Sequence, residues 1–218
     1  MGYNVAIDGP AGAGKSTIAK MVAKKKGYVY VDTGAMYRAM AIHFLKQGIC
    51  PEETGKIIAA CDNADVTIAY EDGVQQVYLN GENVTEKLRT EEVGNMASQT
   101  SAIPQVREKL LELQRSLART SDVIMDGRDI GTNILPHADV KIYLTASADT
   151  RAKRRYDELT GKGISCNYEE IKTDIIERDE RDMSREIAPL CQAEDAILVD
   201  SSKMGIEEVA ETICSYCK

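Results

Sequence analysis

Gly9-Pro10-Ala11-Gly12-Ala13-Gly14-Lys15-Ser16-Thr17 follows an apolar, β-branched run at residues 3–7 and opens a helical stretch at residues 15–25. A glycine-rich turn between strand and helix, closed by lysine and a hydroxyl residue, is a phosphate cradle. The glycines let successive backbone N–H groups point inward at phosphate oxygens, and the helix presents its positive end to the same anion. Lys15 supplies a mobile cation for the β- and γ-phosphates, and the Ser16 hydroxyl is suited to coordinate Mg²⁺. Residues 9–17 are therefore the candidate ATP-binding loop; a glycine-rich turn with an exposed lysine is the alternative. The loop names the donor and leaves the reaction open.

Further apolar runs stand at residues 28–31, 122–125, 140–144 and 196–199. They are short, nearly continuous and separated by helical stretches at 35–46, 105–119, 149–159, 168–181 and 205–216. Strands of this kind are buried on both faces of a parallel sheet, so the expected class is α/β, a three-layer P-loop NTPase fold with a five-stranded parallel sheet. One region breaks the alternation. Val66, Ile68 and Tyr70 precede Asp72-Gly73, and Val74, Val77 and Leu79 follow, which predicts an antiparallel hairpin inserted into the core. Residues 81–93 are expected to add a short strand or a loop.

The chain has 218 residues, 43% of them hydrophobic and 28% charged, which fits one globular domain with a modest insertion. No apolar stretch is long enough to cross a bilayer and no export signal is visible, so the expectation is a soluble, cytoplasmic protein with no membrane partner. A net charge of -8 argues against a nucleic-acid surface. Six dispersed cysteines read as reduced thiols. Cys214 and Cys217 form a C-x-x-C pair, but with no second pair or nearby histidine to complete a zinc set, a terminal amphipathic helix explains them.

The acceptor side is read from two strand ends. Residues 29–38, Val-Tyr-Val-Asp-Thr-Gly-Ala-Met-Tyr-Arg, pass from strand to helix at the edge of the expected ligand crevice. Thr33 and Arg38 are candidates to hold a second anion; alternatively Thr33 caps the helix and Arg38 is solvated. Asp126-Gly127-Arg128-Asp129 ends the third run, where Gly127 permits a sharp turn that aims Arg128 and Asp129 inward. One carboxylate here is suited to orient Mg²⁺ or its water shell. A surface turn with an Asp-Arg ion pair is the alternative.

Two basic clusters follow. Arg151, Lys153, Arg154 and Arg155 open one helix, and Arg178, Arg181 and Arg185 share a face of the next with Asp182 among them. Arg181 and Arg185 are like charges four apart, which costs stability unless an anion or acidic partners intervene. Arg178 with Asp182 is a candidate structural pair. Phosphoryl transfer concentrates charge on equatorial oxygens, so it calls for converging arginines, and a mobile lid bearing Arg151, Arg154 or Arg155 would limit transfer to water.

Residues 7–16, 32–38, 126–132 and 181–190, in that order, resemble signatures of the bacterial cytidylate kinase family, and the resemblance extends over nearly the whole chain. It implies transfer of the γ-phosphoryl group of ATP to CMP or dCMP with Mg²⁺, by a monomer. By position, it implies that Lys15, Arg38, Arg128 and Arg185 contact transferred or acceptor phosphate, with Arg151 and Arg155 as lid candidates. Ser98, Arg107 and Asp129 would read the cytosine, and Thr33, Arg178 and Asp182 would hold the sugar region. Nothing beyond the resemblance marks Ser98. It also implies a core of residues 1–61 and 101–218 with a helical lid at about 148–166, and an acceptor-binding insertion at 62–100. A kinase for another small acceptor, or a nucleotide-dependent switch, are the rival readings.

Overall fold

A computed structural model describes residues 2–218; Met1, the first residue of the expected core, lies outside the described residues. In chain order the elements are β1 (Asn4–Asp8), α1 (Lys15–Lys26), β2 (Val29–Asp32), α2 (Thr33–Lys46), α3 (Thr54–Cys61), β3 (Val66–Glu71), β4 (Val74–Leu79) and β5 (Glu82–Asn83). They continue with α4 (Glu91–Thr100), α5 (Pro104–Thr120), β6 (Val123–Gly127), β7 (Val140–Thr145), α6 (Ala148–Gly161), α7 (Tyr168–Met183), β8 (Ile197–Asp200) and α8 (Ile206–Tyr216).

The five expected strands form one parallel sheet in the order β2-β6-β1-β7-β8. Their near-continuous apolar runs have a simple cause, since alternate residues face opposite layers. Ala6, Val31, Val123 and Met125 face the cluster that contains α2, α3 and α5, whereas Val5, Ile7, Tyr30 and Ile124 face α1 and α8. From β1 the chain crosses to β2 on one side, and β7 later adds on the other. The crevice outside the carboxyl ends of β6, β1 and β7 is therefore the place where an open parallel sheet binds its ligand.

The hairpin forms where the Asp-Gly turn predicts it, with Val66 opposite Leu79, Ile68 opposite Val77 and Tyr70 opposite Gln75. One assignment differs. Val74 is 55% exposed, and the inward face of β4 is Gln75, Val77 and Leu79. β5 adds two residues beyond it, after which a 3-10 turn at Thr85–Arg89 leads to α4. Helices α3 and α4 were not evident as helices. α4 contains Gly94, Asn95 and Ser98, weak helix formers, yet it buries Val93, Met96, Ala97 and Thr100 on one face and is capped by Thr90, whose hydroxyl accepts from the Val93 N–H at 3.3 Å. No helix of the described residues is long and apolar enough to cross a membrane. Cys214 and Cys217 are free, and Cys217 packs in the core layer of α1 and α8 with its thiol donating to the Ile213 carbonyl.

Candidate active site

At the carboxyl end of β1 the chain turns through Gly9 with φ +148°, and a Cβ there would lie 1.9 Å from the Leu144 carbonyl oxygen on neighbouring β7. Only glycine lets the loop leave the sheet at this point. Gly12 and Gly14 also have positive φ, and α1 begins at Lys15 with the unpaired N–H groups of its first turn facing the cleft end. Lys15 is buried, and its ammonium donates to the carbonyls of Gly9 and Pro10 at 2.7 Å each. Burial, and next the charge of Arg128, push its pKa well below the ordinary lysine value. An anion at this spot is what would restore a comfortable charged state.

The loop is joined to β6 by Ser16, whose hydroxyl donates to Asp126 Oδ2 at 2.9 Å. Tyr30 donates to the other oxygen, Oδ1, at 2.8 Å. Burial, then the nearby Asp32 carboxylate, raises Asp126 to about 6. These groups fit magnesium, which takes hard oxygen ligands, keeps several waters and draws the rest of its shell from substrate phosphates. A hydroxyl and a carboxylate side by side at the phosphate loop are that minimal donor set. Asp126 was only one of two carboxylates in view from sequence, and the hydrogen bond from Ser16 singles it out.

The ends of β2 and β6 meet at Gly127, where a Cβ would lie 2.8 Å from Thr33 Oγ1. Thr33 is buried and donates to the Asp126 carbonyl at 2.7 Å. The cap of α2 is Asp32 rather than Thr33, since Asp32 Oδ1 accepts from the Ala35 N–H at 2.9 Å. A strand ending in Asp before a helical run carries that signal. Arg38, one turn into α2, makes no ion pair or hydrogen bond among the described residues, and burial lowers its pKa.

Beyond Arg128 the cleft divides into two ends. At one end Arg107 pairs with Asp129, both buried, and donates to the Ser101 carbonyl at 3.2 Å. The Arg107 guanidinium also lies over the Tyr37 ring, 5.7 Å from its centroid. Ser98 Oγ is buried beside them with no partner. At the other end Asp182 is 1% exposed and accepts from Arg128 Nε at 2.9 Å and from Arg185. The pair Arg178 with Asp182 suggested by spacing does not form. Arg178 Nε is buried without a partner, and burial followed by the charge of Arg128 pushes it down to about 10. Arg181 is exposed and does not line the cleft.

The α6 arginines separate by rotation about the helix. Arg151 is buried and donates to the carbonyls of Ala146 at 2.8 Å and Ala11 at 3.0 Å and to Asp179 at 2.6 Å, tying α6 to the phosphate loop and to α7. Arg154 donates to the backbone of Ser201, and exposed Arg155 pairs with Glu158. The candidate residues named from the sequence line one cleft of about 700 Å³, except Gly9, Pro10, Lys153 and Arg181. Arg89, on the 3-10 turn, also reaches it and pairs with Asp32 at 2.7 Å; no periodicity or motif in the sequence marks it.

Holding a triphosphate loop against a second anion site across the end of a parallel sheet is the arrangement of P-loop phosphotransferases, and this chain is one of that class. A profile of the family described as cytidylate kinase matches residues 5–218. The cytidylate kinase of Caldicellulosiruptor bescii is 52% identical over 210 residues, covering 96% of this chain and 93% of that one. The chain belongs to the cytidylate kinase family. The cytidylate kinase of Bacillus subtilis is 45% identical over 210 residues, covering 96% and 94% of the two chains. An uncharacterized protein from Eubacterium ventriosum shares the fold, with a TM-score of 0.54 at 12% identity over 98% of this chain and 97% of that one.

Proposed function

We propose that this enzyme transfers the γ-phosphoryl group of ATP to CMP or dCMP. The observation that carries the reading is the continuity of the cleft: Lys15 and the glycine loop, the Arg38, Arg128, Arg178 and Arg185 group, and the Ser98, Arg107 and Asp129 pocket line one space. An oxygen of the acceptor phosphate bonds to the γ-phosphorus of ATP as the bond to the β–γ bridging oxygen breaks, leaving ADP and CDP or dCDP. Little covalent chemistry falls to the protein, so its work is placement and charge stabilisation. Lys15 holds the donor oxygens, and Arg38, Arg128 and Arg185 hold the acceptor phosphate and the charge that spreads between the two. Ser16 and Asp126 would hold Mg²⁺, which when bound neutralises charge on the donor phosphates.

Cytosine offers an exocyclic amino donor beside ring acceptors. Asp129 accepts from the first, while Arg107 and the unpartnered Ser98 hydroxyl donate to the others. Thr33, Arg178 and Asp182 flank the sugar. Residues 62–100 serve as the acceptor-side insertion and about 148–166 as a lid that brings Arg155 inward, with Arg151 anchoring its base. Steady-state transfer from ATP to a panel of monophosphates tests the reading: CMP and dCMP are expected to turn over, and comparable rates with UMP or AMP would overturn the cytosine assignment. A nucleotide switch would instead hydrolyse ATP without CMP and pass no phosphate to it.

A further inference from the structure

β2 is the edge strand of the parallel sheet, so one side of it lacks a neighbouring strand. Unpaired backbone groups along such an edge need cover or they recruit other chains. Here the cover is not a strand but two side chains. Tyr70 and Gln75 lie opposite each other near the tip of the β3–β4 hairpin, on the face that continues the row of buried Val66, Val77 and Leu79 and half-buried Ile68. Tyr70 donates its hydroxyl to the Tyr30 carbonyl at 3.0 Å. Gln75 Oε1 accepts from the Asp32 N–H at 2.8 Å, and Gln75 Nε2 donates to the Asp32 carbonyl at 3.2 Å. The Gln75 amide thus copies the donor and acceptor of a missing strand residue, 43 positions away in sequence.

The residue so gripped is the one on which the acceptor turn depends. Asp32 caps α2 through Oδ1 and accepts from Arg89 through Oδ2, so its four polar atoms are all engaged, two of them by Gln75. Thr33 follows it directly and Arg38 stands one turn and a half on, both lining the cleft. A residue whose backbone is held in this way has its φ and ψ set by the hairpin, and the helix it caps starts from that orientation.

We infer that Gln75 is a positioning residue for the acceptor nucleotide, acting through Asp32 to fix the turn that carries Thr33 and Arg38. The inference rests on the proposed CMP-kinase activity, but its first consequence does not. Hydrogen exchange of the Asp32 amide, followed in the nucleotide-free protein, is slow in the parent and accelerates in Gln75→Met, a variant that keeps volume and removes both bonds. Kinetically, Gln75→Met raises KM for CMP about tenfold, the loss expected for two buried hydrogen bonds, while KM for ATP and kcat stay within about twofold.

Parallel changes in kcat and both KM values, or a drop in melting temperature with no change in KM for CMP, would reduce Gln75 to a structural contact and overturn the inference. So would unchanged Asp32 exchange. If the parent itself fails to phosphorylate CMP, the proposed function falls, and the exchange measurement still decides whether Gln75 grips the turn. Should Gln75→Met not fold, Tyr70→Phe removes one bond at the half-exposed flank of the same face. It is expected to raise KM for CMP about twofold, and no change in that variant counts against the inference.

Discussion

Arg128 Nε donates to Asp182 Oδ2 at 2.9 Å, and this bond joins the end of β6 to the last turn of α7. Asp182 also takes Arg185, so one carboxylate balances both guanidinia. Burial alone would raise the Asp182 carboxyl, but Arg128 and Arg185 outweigh it and hold the pKa below the ordinary value. Removing one partner of a buried pair strands the others, so Asp182→Ala should destabilise the nucleotide-free protein by about 3–5 kcal/mol in urea unfolding. Because the folded pKa is depressed, this contribution is present above the unfolded pKa of about 4 and is lost as pH falls through the folded one. A variant less than about 1 kcal/mol weaker than the parent would mean the arginines find anions elsewhere.

Lys15→Met separates charge from fold. The ammonium is buried and its charged form is disfavoured, so its loss should leave the unfolding midpoint unchanged or raise it. Turnover should fall by about 10²–10³, the scale for deleting one positioned donor at a site of developing charge. Near-parent kcat with an intact melting curve would contradict the role given to Lys15.

Ser98 and Asp129 should part company when each is replaced by alanine. Ser98 Oγ has no partner in the unliganded protein, so Ser98→Ala is expected to be neutral or stabilising by up to about 1 kcal/mol while raising KM for CMP. Asp129→Ala breaks a buried pair with Arg107 and should both destabilise the protein and erode discrimination against UMP. Parallel thermal melts and KM values for CMP and UMP make the comparison; unchanged selectivity in Asp129→Ala would exclude it as a base reader.

Asp8 gives a pH signature opposite to that of Asp182. It accepts from the N–H groups of Ile130 and Gly131 at 2.8 and 2.7 Å, yet burial raises its pKa to about 6. A raised folded pKa contributes stability that is present below the unfolded value of about 4 and is lost as pH rises through about 6. The melting temperature of the nucleotide-free protein should therefore decline across that interval. Asp8→Asn should flatten the slope by the order of 1–3 kcal/mol, and an unchanged slope would place the effect in other groups.

The parts of the molecule legible in the sequence are those with a local period or a motif. The five apolar runs, the Asp-Gly hairpin and the phosphate loop each carry their signal within a dozen residues. α4 is hidden by Gly94 and Asn95, because its helical state depends on burying Val93, Met96 and Ala97 rather than on propensity. The partner of Asp182 differs from the one its spacing predicts for a related reason. Spacing along α7 favours Arg178, whereas the donor, Arg128, comes from the turn after β6, 54 residues earlier. Rotation of α6 buries Arg151 and leaves Arg155 exposed at the cleft, which no count of basic residues reveals. Gln75 and Arg89 are ordinary polar residues until the hairpin is laid against the edge of the sheet.

The unshared guanidinium of Arg38 and that of Arg178, whose Nε is buried without a partner, leave this part of the cleft short of counterions. Any small oxyanion in the solvent that settles there relieves the crowding and weights the folded state by mass action. A melting temperature taken in phosphate or sulfate and one taken in chloride therefore describe two differently loaded proteins. The gap between them measures how strongly the uncompensated arginines of the cleft repel one another.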